Sequence, residues 1–224
     1  MILLSCMKFL LMGLCILFDI AYIVCKSKDK NIVGLLVKTA AAACFLQIGN
    51  LGYMNHQTNY AFIIMCGLGL DAIGDICLGL RNLFLKNLFF VLGSSFFLAG
   101  HVAFINALFP YAGNYKLECI IAGIILGTLL LTILSKVCRL SRTYTILGML
   151  YCIMISIMVS LGIGVYLTNK TVSDLLFMMG AVLFVSSDII LILYNFSKKE
   201  KWMHPIYSIL YFIAQILISF SLNL

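Results

Sequence analysis

Long apolar runs, broken at short intervals by polar and basic residues, dominate the chain. Eight runs stand out, at roughly 1–24, 32–49, 58–80, 84–108, 115–138, 142–168, 172–196 and 202–223. A membrane-crossing helix needs about 20 mostly apolar residues, and each run is close to that length. The connections between them are short, so no room remains for a soluble domain. The second run is the most diluted, because Lys38 and Gln47 interrupt it. The pattern predicts an all-α polytopic membrane protein of eight transmembrane helices, with residues 1–224 forming one integral membrane domain.

Composition agrees with the pattern. The chain is 63% hydrophobic and 10% charged, whereas soluble domains carry about 25% charged residues. The formal net charge of +7 does not point to nucleic acid, because of where the cations sit. Lys26, Lys28, Lys30, Arg81, Lys86, Lys136, Arg139, Arg142, Lys198, Lys199 and Lys201 fall at the first, third, fifth and seventh connections. The remaining connections offer Lys116 and Lys170. Lysine and arginine gather on the cytoplasmic side of membrane proteins, so the odd connections are expected there and both termini on the opposite face. These cations can also touch anionic lipid head groups.

The first run superficially resembles a signal peptide. It carries Asp19, however, runs into Lys26-Ser27-Lys28-Asp29-Lys30, and has no small-residue cleavage site. It is read as a retained helix. The nine cysteines are scattered singly with no C-x-x-C, which suggests small buried apolar residues rather than a disulfide or zinc framework. Pro110 and Pro205 fall at or near the ends of runs, where they punctuate helices without kinking them. Gly123 and Gly127 form a small-x-x-x-small pair suited to close helix packing.

A weak internal repeat runs through the chain. Asp75 opens DICLGL on the third helix and Asp188 opens DIILIL on the seventh. A period near 113 residues divides the chain into two four-helix halves of equal orientation, a 4+4 parallel repeat. Such a repeat places the two aspartates at similar depth, where they can face each other.

A charged residue at mid-membrane costs about 2.5–3.5 kcal/mol on insertion scales, so residues that carry this cost are candidates for function. They are Asp19, Lys38, Asp71, Asp75, His101 and Asp188, with Gln47, Asn106 and Gln215 as neutral helpers. Asp75 and Asp188 make the best pair. Away from water the neutral acid is favoured, and each carboxylate opposes ionisation of the other. One group can then hold a proton while its neighbour is ionised, giving an acid and a base in one place. The structural alternative is a carboxyl bonded to Ser186, Ser187 or a lysine merely to hold helices together.

Asp71 lies four residues before Asp75, on the same helical face. It can share the cleft, pair with Lys38, or lie on a polar rim. Lys38 can snorkel to the surface or meet a carboxylate or lipid phosphate, and the second is favoured. His101 lies well inside a run, whereas His56 and His204 fall in or beside connections. A metal site needs three or more protein ligands, so a hydrogen-bonding, proton-shuttling or interior role suits it better. Tyr207, Tyr211 and Gln215 form one stripe on the last helix. No G-x-S-x-G, H-E-x-x-H, P-loop or G-x-G-x-x-G occurs.

Three function classes compete for these residues. An intramembrane hydrolase uses the aspartates as acid and base. A proton-coupled transporter or lipid carrier uses them as a relay, but the two halves lack Gly/Pro-broken helices at matching places. An intramembrane aspartyl protease also needs two aspartates, but its G-x-G-D motif fails at Ala72-Ile73-Gly74-Asp75.

Four short motifs occur in order along the chain. They are Gly74-Asp75 in GDICLGL, Gly100-His101 with Phe104, GAVLFVSSD from Gly180 to Asp188, and YFIAQILI from Tyr211 to Ile218. In these the chain resembles the YhhN-like lysoplasmalogenases over nearly its whole length. The family more often has Ala or Thr before the histidine and Tyr three residues after it. It usually has Lys-Pro where this chain has Lys38-Thr39, and often Ser at position 71, which sets Asp71 outside the shared machinery. The resemblance implies hydrolysis of the vinyl ether bond of lysoplasmenyl-ethanolamine or -choline, an ether hydrolase reaction, with no metal or organic cofactor. It implies Asp75 and Asp188 as the catalytic pair, with Lys38, His101, Tyr211 and Gln215 supporting or binding substrate, while Asp71 is expected from its position to border or tune the site. The partner would be a lysophospholipid entering from the bilayer, in the endoplasmic reticulum membrane of a eukaryote or the inner membrane of a bacterium.

Overall fold

The computed structural model describes residues 2–81, 83–138, 142–197 and 199–223, leaving out the side chains of residues 2–5 and 142–144. Of the basic connection residues, Arg139, Lys198 and the side chain of Arg142 lie outside the described residues. The described chain is all-helical, with eight α-helices. They are α1 (Ile2–Ser27), α2 (Asn31–Asn55), α3 (Asn59–Leu80), α4 (Lys86–Leu108), α5 (Lys116–Val137), α6 (Arg142–Asn169), α7 (Val172–Phe196) and α8 (Met203–Ser221). All eight are long and apolar enough to cross a membrane, and the chain is a multi-pass membrane protein. The diluted second run is a full helix and extends to Asn55, past its expected end near residue 49.

Local chemistry sets the helix ends. Thr58 caps α3 by accepting from the Ala61 N–H at 3.1 Å. Thr171 caps α7 by accepting from the Asp174 N–H at 3.1 Å, and Asp174 adds a favourable negative charge to that helix's first turn. Asp29 and Lys170 take positive φ in the α1–α2 and α6–α7 connections, which stops the preceding helices.

Successive helices pair as hairpins: α1 with α2, α3 with α4, α5 with α6, α7 with α8. Further packing of α2 on α3, α4 on α6, α6 on α7, and α8 on α1 and α2 closes these into a ring. α5 stands outside that ring, carried chiefly by α6. The close approach of α5 to α6 depends on Gly123 and Gly127. A Cβ at Gly127 would sit 2.6 Å from the Ile153 Cα, a backbone atom that cannot swing away. Overpacking of this kind costs about 1–3 kcal/mol. Gly127→Ala is therefore expected to lower the thermal unfolding midpoint in detergent by several degrees. An unchanged midpoint would show that α5 and α6 separate at little cost to admit a methyl group.

Candidate active site

The polar residues of the spans turn inward and meet. Asp71, Asp75, His101 and Gln215 are at most 1% exposed, Asp188 and Lys38 at most 8%. Gln47 and Asn106, expected as neutral helpers, are instead exposed on the outside of the bundle. Helical phase explains this: neither falls on the buried stripe of its helix.

Lys38 on α2 reaches Asp75 on α3, with Nζ 2.8 Å from Oδ1. The Lys38 ammonium also lies over two rings, 5.6 Å from the Tyr22 centroid and 5.9 Å from that of Tyr211. The other Asp75 oxygen accepts from the Tyr211 hydroxyl at 2.8 Å. Gln215, one turn along α8, donates from Nε2 to the Tyr211 hydroxyl at 3.1 Å and to Asp71 Oδ2 at 2.7 Å. Lys38 thus takes Asp75 rather than Asp71 as its partner, and Asp71 is held through Gln215.

Asp188 on α7 is held differently. The Tyr151 hydroxyl on α6 donates to its Oδ2 at 2.6 Å, and among the described residues it has no cation. Neither candidate serine holds it. Ser187 donates to the Tyr207 carbonyl at 2.8 Å and Ser186 to the Val182 carbonyl at 2.8 Å. Nothing in the sequence marks Tyr151, because one tyrosine in an apolar helix carries no charge or motif. A shared interval is visible in hindsight: 113 residues separate Asp75 from Asp188, and the same 113 separate their partners Lys38 and Tyr151.

His101 lies behind this pair. Its ring packs at 5.1 Å from Tyr151 and 5.0 Å from Phe184. Among the described residues neither ring nitrogen has a hydrogen-bond partner. Phe184 continues the aromatic wall to Tyr211 at 5.4 Å. Asp19 on α1 is buried nearby and accepts from the Ser208 hydroxyl at 2.5 Å. No three His, Cys, Asp or Glu side chains converge as a metal cage would need among the described residues.

Asp75 and Asp188 line one cavity of about 180 Å³, together with Lys38, Tyr211 and Ser208. Its mouth is ringed by Lys26, Arg81, Lys86 and Lys199, all from the odd connections. Arg81 also donates to Asn195 at 2.7 Å and stacks on Phe90 at 4.7 Å. A second cavity of about 70 Å³ adjoins the first and is almost wholly apolar, walled by Phe90, Leu131, Leu134, Leu147 and Ile192. Asp188, Phe97 and Asn195 border both. The site therefore offers a basic mouth, a chamber with two unlike carboxyls, and an apolar extension that begins at one of them.

A model of the YhhN family matches residues 33–222, which takes in every member of this network from Lys38 to Gln215. No curated protein and no solved structure matches the chain.

Proposed function

Since the chain belongs to the YhhN family, we propose that it is an intramembrane lysoplasmalogenase, hydrolysing the vinyl ether bond of lysoplasmenyl-ethanolamine or -choline. The products are a fatty aldehyde and glycerophospho-ethanolamine or -choline. The observation that carries this reading is the unlike pairing of two carboxyls on one cavity, with the apolar extension starting at Asp188. The order of these features matches the order of groups in a single-chain lipid. Its phosphate meets the basic mouth, its chain enters the apolar cavity, and its vinyl ether lies at the junction.

The pairing supports separate roles for the carboxyls. Asp75, with an ammonium at 2.8 Å, is the ionised member. Asp188 is buried with only a phenol beside it, and a buried carboxyl without a cation keeps its proton. Asp188 gives that proton to the outer vinyl carbon. The double bond's electrons form the new C–H bond, and the inner carbon becomes an oxocarbenium ion facing the Asp75 carboxylate. Water adds to the inner carbon and loses a proton to Asp75, leaving a hemiacetal. On collapse, Asp75 returns that proton to the departing glycerol oxygen and the hemiacetal hydroxyl gives its proton to Asp188. One water is consumed and both carboxyls are reset. Each transfer is general acid–base catalysis, typically worth 10²–10⁴-fold.

In this reading the basic mouth faces the cytoplasm and both termini the opposite side. The membrane is the endoplasmic reticulum if the cell is eukaryotic and the inner membrane if it is bacterial.

The test is direct. Purified chain in detergent should release aldehyde from lysoplasmenyl-ethanolamine and leave the 1-acyl analogue intact, since the acyl ester has no vinyl carbon to protonate. No release from the vinyl ether lipid, or equal cleavage of both, would overturn the reading. Tyr151→Phe removes one hydrogen bond to Asp188 and nothing else of its shape. A hydrogen bond is worth about 0.5–1.5 kcal/mol, so kcat should fall up to about tenfold with KM unchanged, as steady-state kinetics would show.

A further inference from the structure

Asp71 is fully buried, touches no cation, and does not line the cavity that holds Asp75 and Asp188. Among the described residues its hydrogen-bond partner is Gln215, whose Nε2 donates to Oδ2 at 2.7 Å. Its other oxygen, Oδ1, has no hydrogen-bond partner among the described residues. It points at α4 where Gly100 leaves space, and a Cβ at Gly100 would run into Asp71 Oδ1. The carboxyl is thus seated in a gap made for it, out of reach of any substrate in the chamber.

We infer that Asp71 is a positioning residue, which sets the direction of hydrogen-bond donation along Gln215, Tyr211 and Asp75. The inference rests on the reaction proposed above. A glutamine amide presents donors at one end and an acceptor at the other. Gln215 turns its nitrogen towards both Asp71 and Tyr211. The Tyr211 oxygen therefore accepts from Gln215, and its own proton is left for Asp75 Oδ2 at 2.8 Å. Were the amide reversed, Oε1 would face Tyr211 and draw that proton away, and Asp75 would lose a donor. The acceptor at position 71 faces the amide nitrogen and so sets the amide's orientation. The carboxyl outside the chamber in this way governs how many donors the carboxylate inside it receives.

Three forms of the full chain test this: unsubstituted, Asp71→Ala, and the reversed pair Asp71→Asn with Gln215→Glu. The reversed pair keeps the size of both side chains and a hydrogen bond between them, but turns Tyr211's proton towards residue 215. Asp71→Ala should lower kcat about tenfold, the worth of one donated hydrogen bond, with KM within about twofold. The reversed pair should regain the unsubstituted thermal midpoint yet keep the low kcat. Recovery of kcat in the reversed pair, or full kcat in Asp71→Ala, would reduce Asp71 to a packing role and overturn the inference.

A second readout needs no turnover. With 3-fluorotyrosine at position 211, the ¹⁹F resonance senses the adjacent hydroxyl's hydrogen bonds. It should move in Asp71→Ala and again in the reversed pair, and an unmoved resonance would overturn the inference. Failure of the unsubstituted chain to release aldehyde would instead overturn the proposed reaction, while this resonance would still decide the direction of donation.

Discussion

Asp188→Asn is expected to lower aldehyde release about 10³-fold, the middle of the range for removing a general acid. The carboxamide has nearly the shape of the carboxyl, and its oxygen still accepts from Tyr151, which lies 2.6 Å from Asp188 Oδ2. The fold should therefore survive, with a thermal midpoint close to that of the unsubstituted chain. What is lost is the proton. An amide cannot protonate a vinyl carbon, and no second acid of the right placement borders the apolar cavity among its lining residues. Binding of a saturated ether lysolipid, which has the same head group and chain but no double bond, should be unchanged. Residual activity above about a tenth of the original would show that Asp188 is not the acid.

The second large effect concerns Lys38. Removing one partner of a buried ion pair leaves the other as an uncompensated charge, which costs roughly 3–5 kcal/mol. Lys38→Met should therefore destabilise the protein and, by driving Asp75 to take up a proton, stop the reaction. Adding Asp75→Asn to Lys38→Met replaces the pair by neutral groups of similar size. Stability should return, because the lone charge is gone, while activity stays at least 10²-fold down, the low end for a lost general base. Thermal unfolding and aldehyde release, measured on the same preparations, separate the two consequences. Activity restored along with stability would mean that the pair serves folding alone.

Much of this architecture was legible because a membrane restricts what the chain can do. A spanning segment must satisfy its own backbone and shed its charges, so eight apolar runs translate directly into α1 to α8. The residues that break the rule, Lys38, Asp71, Asp75, His101 and Asp188, stood out for the same reason. Their pairing did not. Asp71 and Asp75 share one face of α3, and spacing alone cannot tell which of them Lys38 will meet. Tyr151 was hidden because phenols in apolar helices are common and carry no formal charge. The place of α5 outside the ring was hidden as well. Side chains that face lipid and side chains that face protein are both apolar, so hydropathy does not separate a central helix from a peripheral one. Gln47 and Asn106 show the reverse error, since polarity within a span marked them for the interior and helical phase put them outside.

The meeting of the two cavities at Asp188 bears on how a turnover ends. In the proposed reaction the cleaved molecule becomes two pieces of opposite solubility, a greasy aldehyde and a charged glycerol phosphodiester. The diester sits beneath the lysine- and arginine-ringed opening and drains into water. The aldehyde lies in the sleeve beside α5 and slips sideways among the acyl tails. Departure of either piece does not wait upon the other.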